Sequence, residues 1–466
     1  MEIEQMKWIQ RLAAIAMGLT LAACGGSDSS SSSDNTNTNT NTAIRISHLA
    51  PDAPKVDVKV NGSTFLTDVD FGSSSGLKPV KAGSYSIAVD AILPGSTATV
   101  IGPVTLELKS DTQYDVLAIG KLTGSGDTQF GPLVLERPNM APAASDIRVQ
   151  VIHAAPGAPA VDIHVTAPGA ALSSPTLANI PFKTYSDPIT LPAGDYQVRL
   201  TLPGTVTVVY DSGTLPLAGG SDLLVAAIDN LGAGPSPVQL LAISSSGASA
   251  ILSADEQAKL RVVHAVADAP AVDIWVNGTA PTAAPLQGLA FKSNTSYLTL
   301  AATTYDFAVT PTGATSPQVI NASGVALQAG ALYSLFAVGQ LVTPSGETID
   351  PLLLTDTGRS VATEAKLRVL HAAPTAPAVD VYLTTDTDIS GASAALSAVP
   401  FKGFSDYLAI AAGDYYVTIT AAGDKNPVIG PLPVNLTNGQ LLTAAALSDS
   451  VGGVDPALLI LNDANN

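Results

Sequence analysis

Four histidines, each trailed by a carboxylate, are the residues in this chain best placed to do chemistry. His48, His153, His264 and His371 lie 105, 111 and 107 residues apart, and Asp57, Asp162, Asp273 and Asp380 each follow nine residues later. A histidine with an aspartate can act as an oriented general base or as a pair of metal ligands. Strand phase points elsewhere. Leu260, Val262 and His264 share one face, as do Leu367, Val369 and His371. Each histidine therefore ends a strand on its apolar side. There it closes the core and hydrogen-bonds the Ala-Pro turn that follows. Each aspartate alternates with apolar residues and faces away from the core, towards the backbone of the proline-rich turn. The eight residues are read as a structural repeat signature, with no catalytic group, metal set or cofactor assigned.

Other chemical patterns carry little. There is no HExxH, P-loop, EF-hand loop or dinucleotide fingerprint. Gly72-Ser73-Ser74-Ser75-Gly76 matches GxSxG, but a nucleophile elbow needs a strand before it and a helix after it. Asp68/Asp70 and Asp386/Asp388 are read as turn caps rather than calcium ligands. His164 occurs in one copy only. Trp275 and Tyr382 occupy equivalent strand positions and are expected to be exposed, in a binding surface or in domain packing. The chain is therefore not read as an enzyme.

The single cysteine carries the most specific signal. Lys7 and Arg11 precede an apolar stretch, Leu12 to Ala23, that is too short for a bilayer span of about 20 residues but fits a signal-peptide core. Met6 offers a second start after the acidic opening. Leu21-Ala22-Ala23-Cys24 resembles the bacterial lipobox. That resemblance implies diacylglycerol on the Cys24 thiol, cleavage before it and an acylated new amine, so that residues 1–23 are a signal peptide. Each buried CH₂ contributes about 0.8 kcal/mol, and two or more chains anchor stably where one does not. Gly25 after the cysteine resembles lipoproteins that move on to the outer membrane of diderm hosts.

Residues 24–42 hold the cysteine and a Ser/Asn/Thr-rich tether. At about 5–6 Å × √n its ends lie roughly 20–25 Å apart. Beyond it, 46% hydrophobic and 13% charged residues can bury real cores, and one cysteine excludes an intrachain disulfide. A net charge of -18 opposes nucleic acid and anionic lipid.

The remainder repeats four times, over residues 43–137, 145–243, 257–356 and 364–462. The landmark IRISHLAPDAPKVDVKV returns three times and is followed by Phe71, Phe182, Phe291 or Phe401, then by Tyr85, Tyr196, Tyr305 or Tyr415. Later runs are YDVLAIG, LLVAAID, YSLFAVG and LLTAAAL. Short Val/Ile/Leu/Thr runs between Gly, Pro, Asp and Ser clusters predict strands, about seven per unit. The fold class is all-β: four tandem immunoglobulin-like or transthyretin-like sandwiches. Each of the four tyrosines suits a core or tyrosine-corner place, with Gly83, Gly194 and Gly413 supplying a positive-φ turn and Thr304 departing from it. Copies one and three share Asn61-Gly62 and Asn277-Gly278, a type I′ signal, and Tyr114 and Tyr333. Copies two and four share Tyr185-Ser186-Asp187 and Phe404-Ser405-Asp406. A duplicated two-domain unit follows, with two alternating kinds of interface.

The HxAPxAPxVD opening and the AGxYxV strand resemble the bacterial domain of unknown function 4397, found in tandem on exported proteins. The third copy departs at Val266-Ala267-Asp268. The resemblance implies a fold and no chemistry. The chain is thus expected to be a lipid-anchored protein of the bacterial envelope, on the outer membrane in a diderm host. Its domains form a structural or binding array. An adhesin for glycan or protein is the alternative, and an enzyme the third choice.

Overall fold

In the computed structural model, residues 42–341, 348–448 and 456–464 are described. The four repeats are β-sandwiches, as the strand pattern predicts, and among the described residues the only helical turn is the 3-10 turn Gly126–Thr128. In repeat 1 the first sheet holds Thr42–His48, Thr112–Ile119 and Gly131–Pro138, edged by Ser73–Ser74 and Lys78–Val80. The second holds Ser63–Val69, Val56–Val60, Gly83–Leu93 and Ser96–Leu108, in that spatial order and antiparallel throughout. The opening strand runs parallel to Thr112–Ile119, with Ile44 opposite Tyr114.

That plan recurs. Val149 lies opposite Leu223, Leu260 opposite Tyr333 and Leu367 opposite Leu442, each in a parallel pair. Repeat 2 runs past the expected end at 243, because its first sheet continues through a hairpin into Gly247–Ile251. The Asn-Gly turns adopt the type I′ conformation, with φ of 50° and 78° at Asn61 and Gly62, and 48° and 73° at Asn277 and Gly278.

Every repeat has a core between its own sheets. In repeat 1 Ile44, Ile46, Val58, Val89, Tyr114 and Val116 meet there. Two further cores lie between repeats. Leu49, Leu117, Ile119 and Leu135 pack on Ile152, Leu224, Ile228 and Leu241 of repeat 2. Val263, Phe336, Val338 and Leu354 pack on Leu370, Leu447 and Leu461 of repeat 4. The cause is strand phase. In Thr112–Ile119 the residues Tyr114 and Val116 point into repeat 1, while Leu117 and Ile119 point into repeat 2. A strand apolar on both faces must be covered on both. At roughly 1.5–3 kcal/mol per fully buried aliphatic side chain, these cores hold the pairs together.

Repeats 2 and 3 meet through loops, and among the described residues no apolar cluster joins them. Ala233 N–H donates to the Gly330 carbonyl at 3.2 Å. Leu231 approaches Gly358 so closely that a Cβ there would sit 2.1 Å from the Leu231 carbonyl oxygen. Two kinds of interface therefore alternate along the chain.

Candidate functional site

The signature histidines adopt one geometry four times. Nε2 of His48, His153, His264 and His371 lies 2.9, 2.9, 3.0 and 3.0 Å from the carbonyl oxygen of Pro54, Pro159, Pro270 and Pro377. Nδ1 lies 3.3 Å from the backbone N–H of Ala50, Ala155, Val266 and Ala373. A carbonyl only accepts and an amide N–H only donates, so the proton sits on Nε2 and the ring is neutral. Burial pushes the His48 imidazole down to about 4 and lowers the other three. Both ring nitrogens are committed to the backbone of the Ala-Pro turn. The rings of Phe182, Phe291 and Phe401 stand edge-on to their histidines, at centroid distances of 6.1 to 6.4 Å.

The aspartates do not bind the proline-rich turn; three of them each hold two other backbone segments, and Asp57 holds one. Asp162 accepts from the N–H of Asn179 at 2.6 Å and of Gly204 at 2.7 Å. Asp273 accepts from Gly288 and Gly313, and Asp380 from Ala398 and Gly423. Asp57 accepts from Asp68 at 3.0 Å. The carboxylate sits on the outer face of the second sheet, over a positive-φ residue that lies inside the following strand at Asp68, Asn179 and Ala398 and in a loop at Gly288, and in repeats 2 to 4 also at a hairpin end. These bonds hold the Asp162 and Asp380 carboxyls below the usual range.

The four tyrosine hydroxyls each donate to a carbonyl four residues back, from Tyr85 to Lys81, Tyr196 to Pro192, Tyr305 to Ala301 and Tyr415 to Ala411. That is the corner contact of sandwich folds. The turn glycine is less uniform than the sequence suggests: Gly83 takes φ 148°, whereas Gly413 stays outside the left-handed region.

Charged groups concentrate between paired repeats. Arg261 of repeat 3 donates to the Asn462 carbonyl and pairs with Asp463 of repeat 4; Arg368 of repeat 4 donates to the Thr355 carbonyl and pairs with Asp356 of repeat 3. The exchange is reciprocal, as across a twofold axis. Tyr297 caps Asp356 at 2.6 Å and Tyr407 caps Asp463 at 2.7 Å, and desolvation pushes both phenols up. The first pair keeps one position and changes the rest: Arg45 stands where repeat 3 has Arg261, but Gln150 stands where repeat 4 has Arg368. Arg45 meets Asp115 at 2.5 Å, and Arg137 and Arg148 share Asp222. Register places Arg137 where repeat 3 has Asp356, reversing the charge at that place.

The remaining candidates fall outside any reactive cluster. Ser73–Ser74 is an edge strand followed by no helix, and the Ser74 hydroxyl is 3.0 Å from the Ser47 hydroxyl. Asp386 and Asp388 cap successive turns, accepting from the N–H of Asp388 and Ser390. Asp70 caps Phe71 and pairs with Arg359. Tyr382 is buried, not exposed, and the Lys425 ammonium lies over its ring, 4.4 Å from the centroid. Trp275 is half-buried and donates to the Thr310 hydroxyl at 3.0 Å. Among the described residues no three His, Cys, Asp or Glu side chains gather as a metal site, and no helix is long and apolar enough to cross a membrane. Leu21, Ala22, Ala23 and Cys24 lie outside the described residues.

Sequence reasoning missed the junction ions. Their signal was an arginine in each landmark strand, Arg45, Arg148, Arg261 and Arg368, whose apolar neighbours left it no solvent face.

The fold and its signature define a multi-repeat all-β sandwich protein with histidine-braced turns. The model of the domain of unknown function DUF4397 matches residues 42–164 and 258–382, more than half of the chain, and the chain belongs to that family. It matches two regions rather than four. Each match starts at the opening strand of an odd repeat and ends in the second strand of the even one, so the match too follows the paired unit. No curated protein matches the chain. Among solved structures, the Bacillus anthracis TIE protein is similar at 11% identity and a TM-score of 0.14, over 86% of this chain and 67% of that one.

Proposed function

We propose that this is an extracytoplasmic bacterial lipoprotein that presents four family domains, as two rigid pairs, in a structural or binding array. The observation that carries the reading is Leu21-Ala22-Ala23-Cys24 at the end of a short apolar stretch behind Lys7 and Arg11. Acyl chains on Cys24 would anchor the protein to a membrane, the outer one in a diderm host. The tether would lift the pairs off the lipid. The shared cores support the rigid part of the reading, since pairs joined by buried apolar faces do not hinge freely. Commitment of every signature histidine to backbone supports a non-enzymatic role without cofactor. The test is mass spectrometry of the mature N-terminus with membrane fractionation. The reading expects a lipid-modified Cys24, and release of Cys24→Ser from the membrane fraction. An unmodified thiol in the mature protein overturns it.

An adhesin for glycan or protein is the second reading, and one observation favours it. Tyr185 and Phe404 take equivalent places in the even repeats and are 47% and 51% exposed. Loss of binding in a glycan and host-protein screen on Tyr185→Ala with Phe404→Ala would support it. A screen that finds no ligand leaves the structural role.

A further inference from the structure

We propose that repeat 4 binds a small neutral hydrocarbon group between its two sheets. A cavity of about 240 Å³ lies there, walled by Leu367, Val381, Leu396, Ile410, Ile419 and Ala444 among others. No charged side chain lines it.

The void has a cause in the sequence, and the other repeats supply the control. Register makes four core positions equivalent: Val116 opposite Ile46, Val225 opposite Val151, Leu335 opposite Val262 and Ala444 opposite Val369. Three repeats fill this place with valine or leucine, so the backbone does not demand alanine. Two neighbours are also reduced relative to repeat 3, with Leu442 for Tyr333 and Val417 for Phe307. Protein interiors pack without such voids, and an unfilled one lowers stability. Repeat 4 places the smallest of the four side chains at this position, beside the open space.

The space is reachable. Its lining extends to Ala395 and Ala409, both exposed, beside the edge strands Leu396–Val399 and Leu408–Ile410 of the two sheets. A dry apolar cavity of roughly 150 Å³ holds benzene in another protein. This one takes a larger group, a substituted aromatic ring or the end of an acyl chain. The inference does not depend on the lipid-anchor reading.

The experiment uses the full chain and Ala444→Leu, with toluene and n-octane as probes in thermal unfolding, and xenon pressurisation of crystals. A ligand of the native state raises the midpoint with concentration. The proposal expects a rising midpoint for the wild type, no response in the filled variant, and a xenon peak beside Ala444. Toluene without octane assigns the site to aromatic groups, and the reverse to acyl chains. No probe response together with no xenon peak overturns the proposal, as does an equal response in the filled variant. Should Ala444→Leu fail to fold, the xenon peak and the wild-type titration still decide.

Discussion

The Arg359 guanidinium lies over the ring of Phe71, 5.4 Å from its centroid. In the other three repeats the equivalent phenylalanine is covered by the lysine that follows it, Lys183, Lys292 or Lys402, at 5.2 to 5.4 Å. Repeat 1 has Gly72 in that place. The missing cation comes from the connection between repeats 3 and 4. Arg359 also pairs with Asp70 and donates to the Pro51 and Ala53 carbonyls. The second pair is thereby tied to the first. Replacing Arg359 with alanine removes a charge-assisted set worth about 1–3 kcal/mol. Faster amide exchange across residues 49–54 and 70–72, measured by mass spectrometry, is the expected result. Unchanged exchange there would show that the tie carries no weight.

Breaking the reciprocal junction costs more than deleting it. Asp463→Asn leaves two buried guanidinium groups, Arg261 and Arg368, on the single carboxylate of Asp356 and should destabilise the chain by about 3–5 kcal/mol. The double change Arg261→Met with Asp463→Leu should lose much less, because it leaves no unpaired charge. Urea unfolding of both variants separates the cases. Equal losses would contradict the pairing.

The aspartate clamp is a stability device in this account. Asp273→Ala frees the Gly288 and Gly313 N–H groups and should lower stability by about 1–3 kcal/mol. The intact chain is the proper setting, since an isolated repeat 3 would expose its junction face. An unchanged melting temperature would remove the clamp from the account.

Acid should unfold the chain through its histidines. His48 titrates near 4 in the folded chain against an ordinary 6.5. Between those values the unfolded chain binds the extra proton, so unfolding free energy rises with pH there. The contribution is complete above pH 6.5 and is lost as pH falls towards 4. For His48 the loss is on the order of 3 kcal/mol. The three other histidines, lowered in the same direction, add to it. The lowered Asp162 and Asp380 carboxyls extend the loss below 3.8. Urea midpoints across this range should fall with acid, less steeply in His371→Gln. A flat profile would be inconsistent with buried neutral rings.

The strands, the repeat and the histidine's place were legible because period-two alternation and a fourfold signature report directly on one-sided burial. The pairing was only half legible. YDVLAIG and YSLFAVG are apolar on successive residues, which means a strand covered on both faces, but they do not name the covering partner. The clamp's targets were not legible either. Asn179 and Gly204 lie far from Asp162 in sequence, and only the folded hairpins bring them to its carboxylate. Tyr382 was misplaced because a strand position says which face a ring takes, not whether Lys425 covers it.

The shared cores make the pair, not the single repeat, the folding unit. Residues 257–464 and residues 257–356 can be produced separately and compared by sedimentation and urea unfolding. The pair should be monomeric and unfold in one cooperative step. Repeat 3 alone should aggregate or self-associate through the bared face of Val263, Phe336, Val338 and Leu354. A monomeric repeat 3 with the full stability of the pair would contradict it.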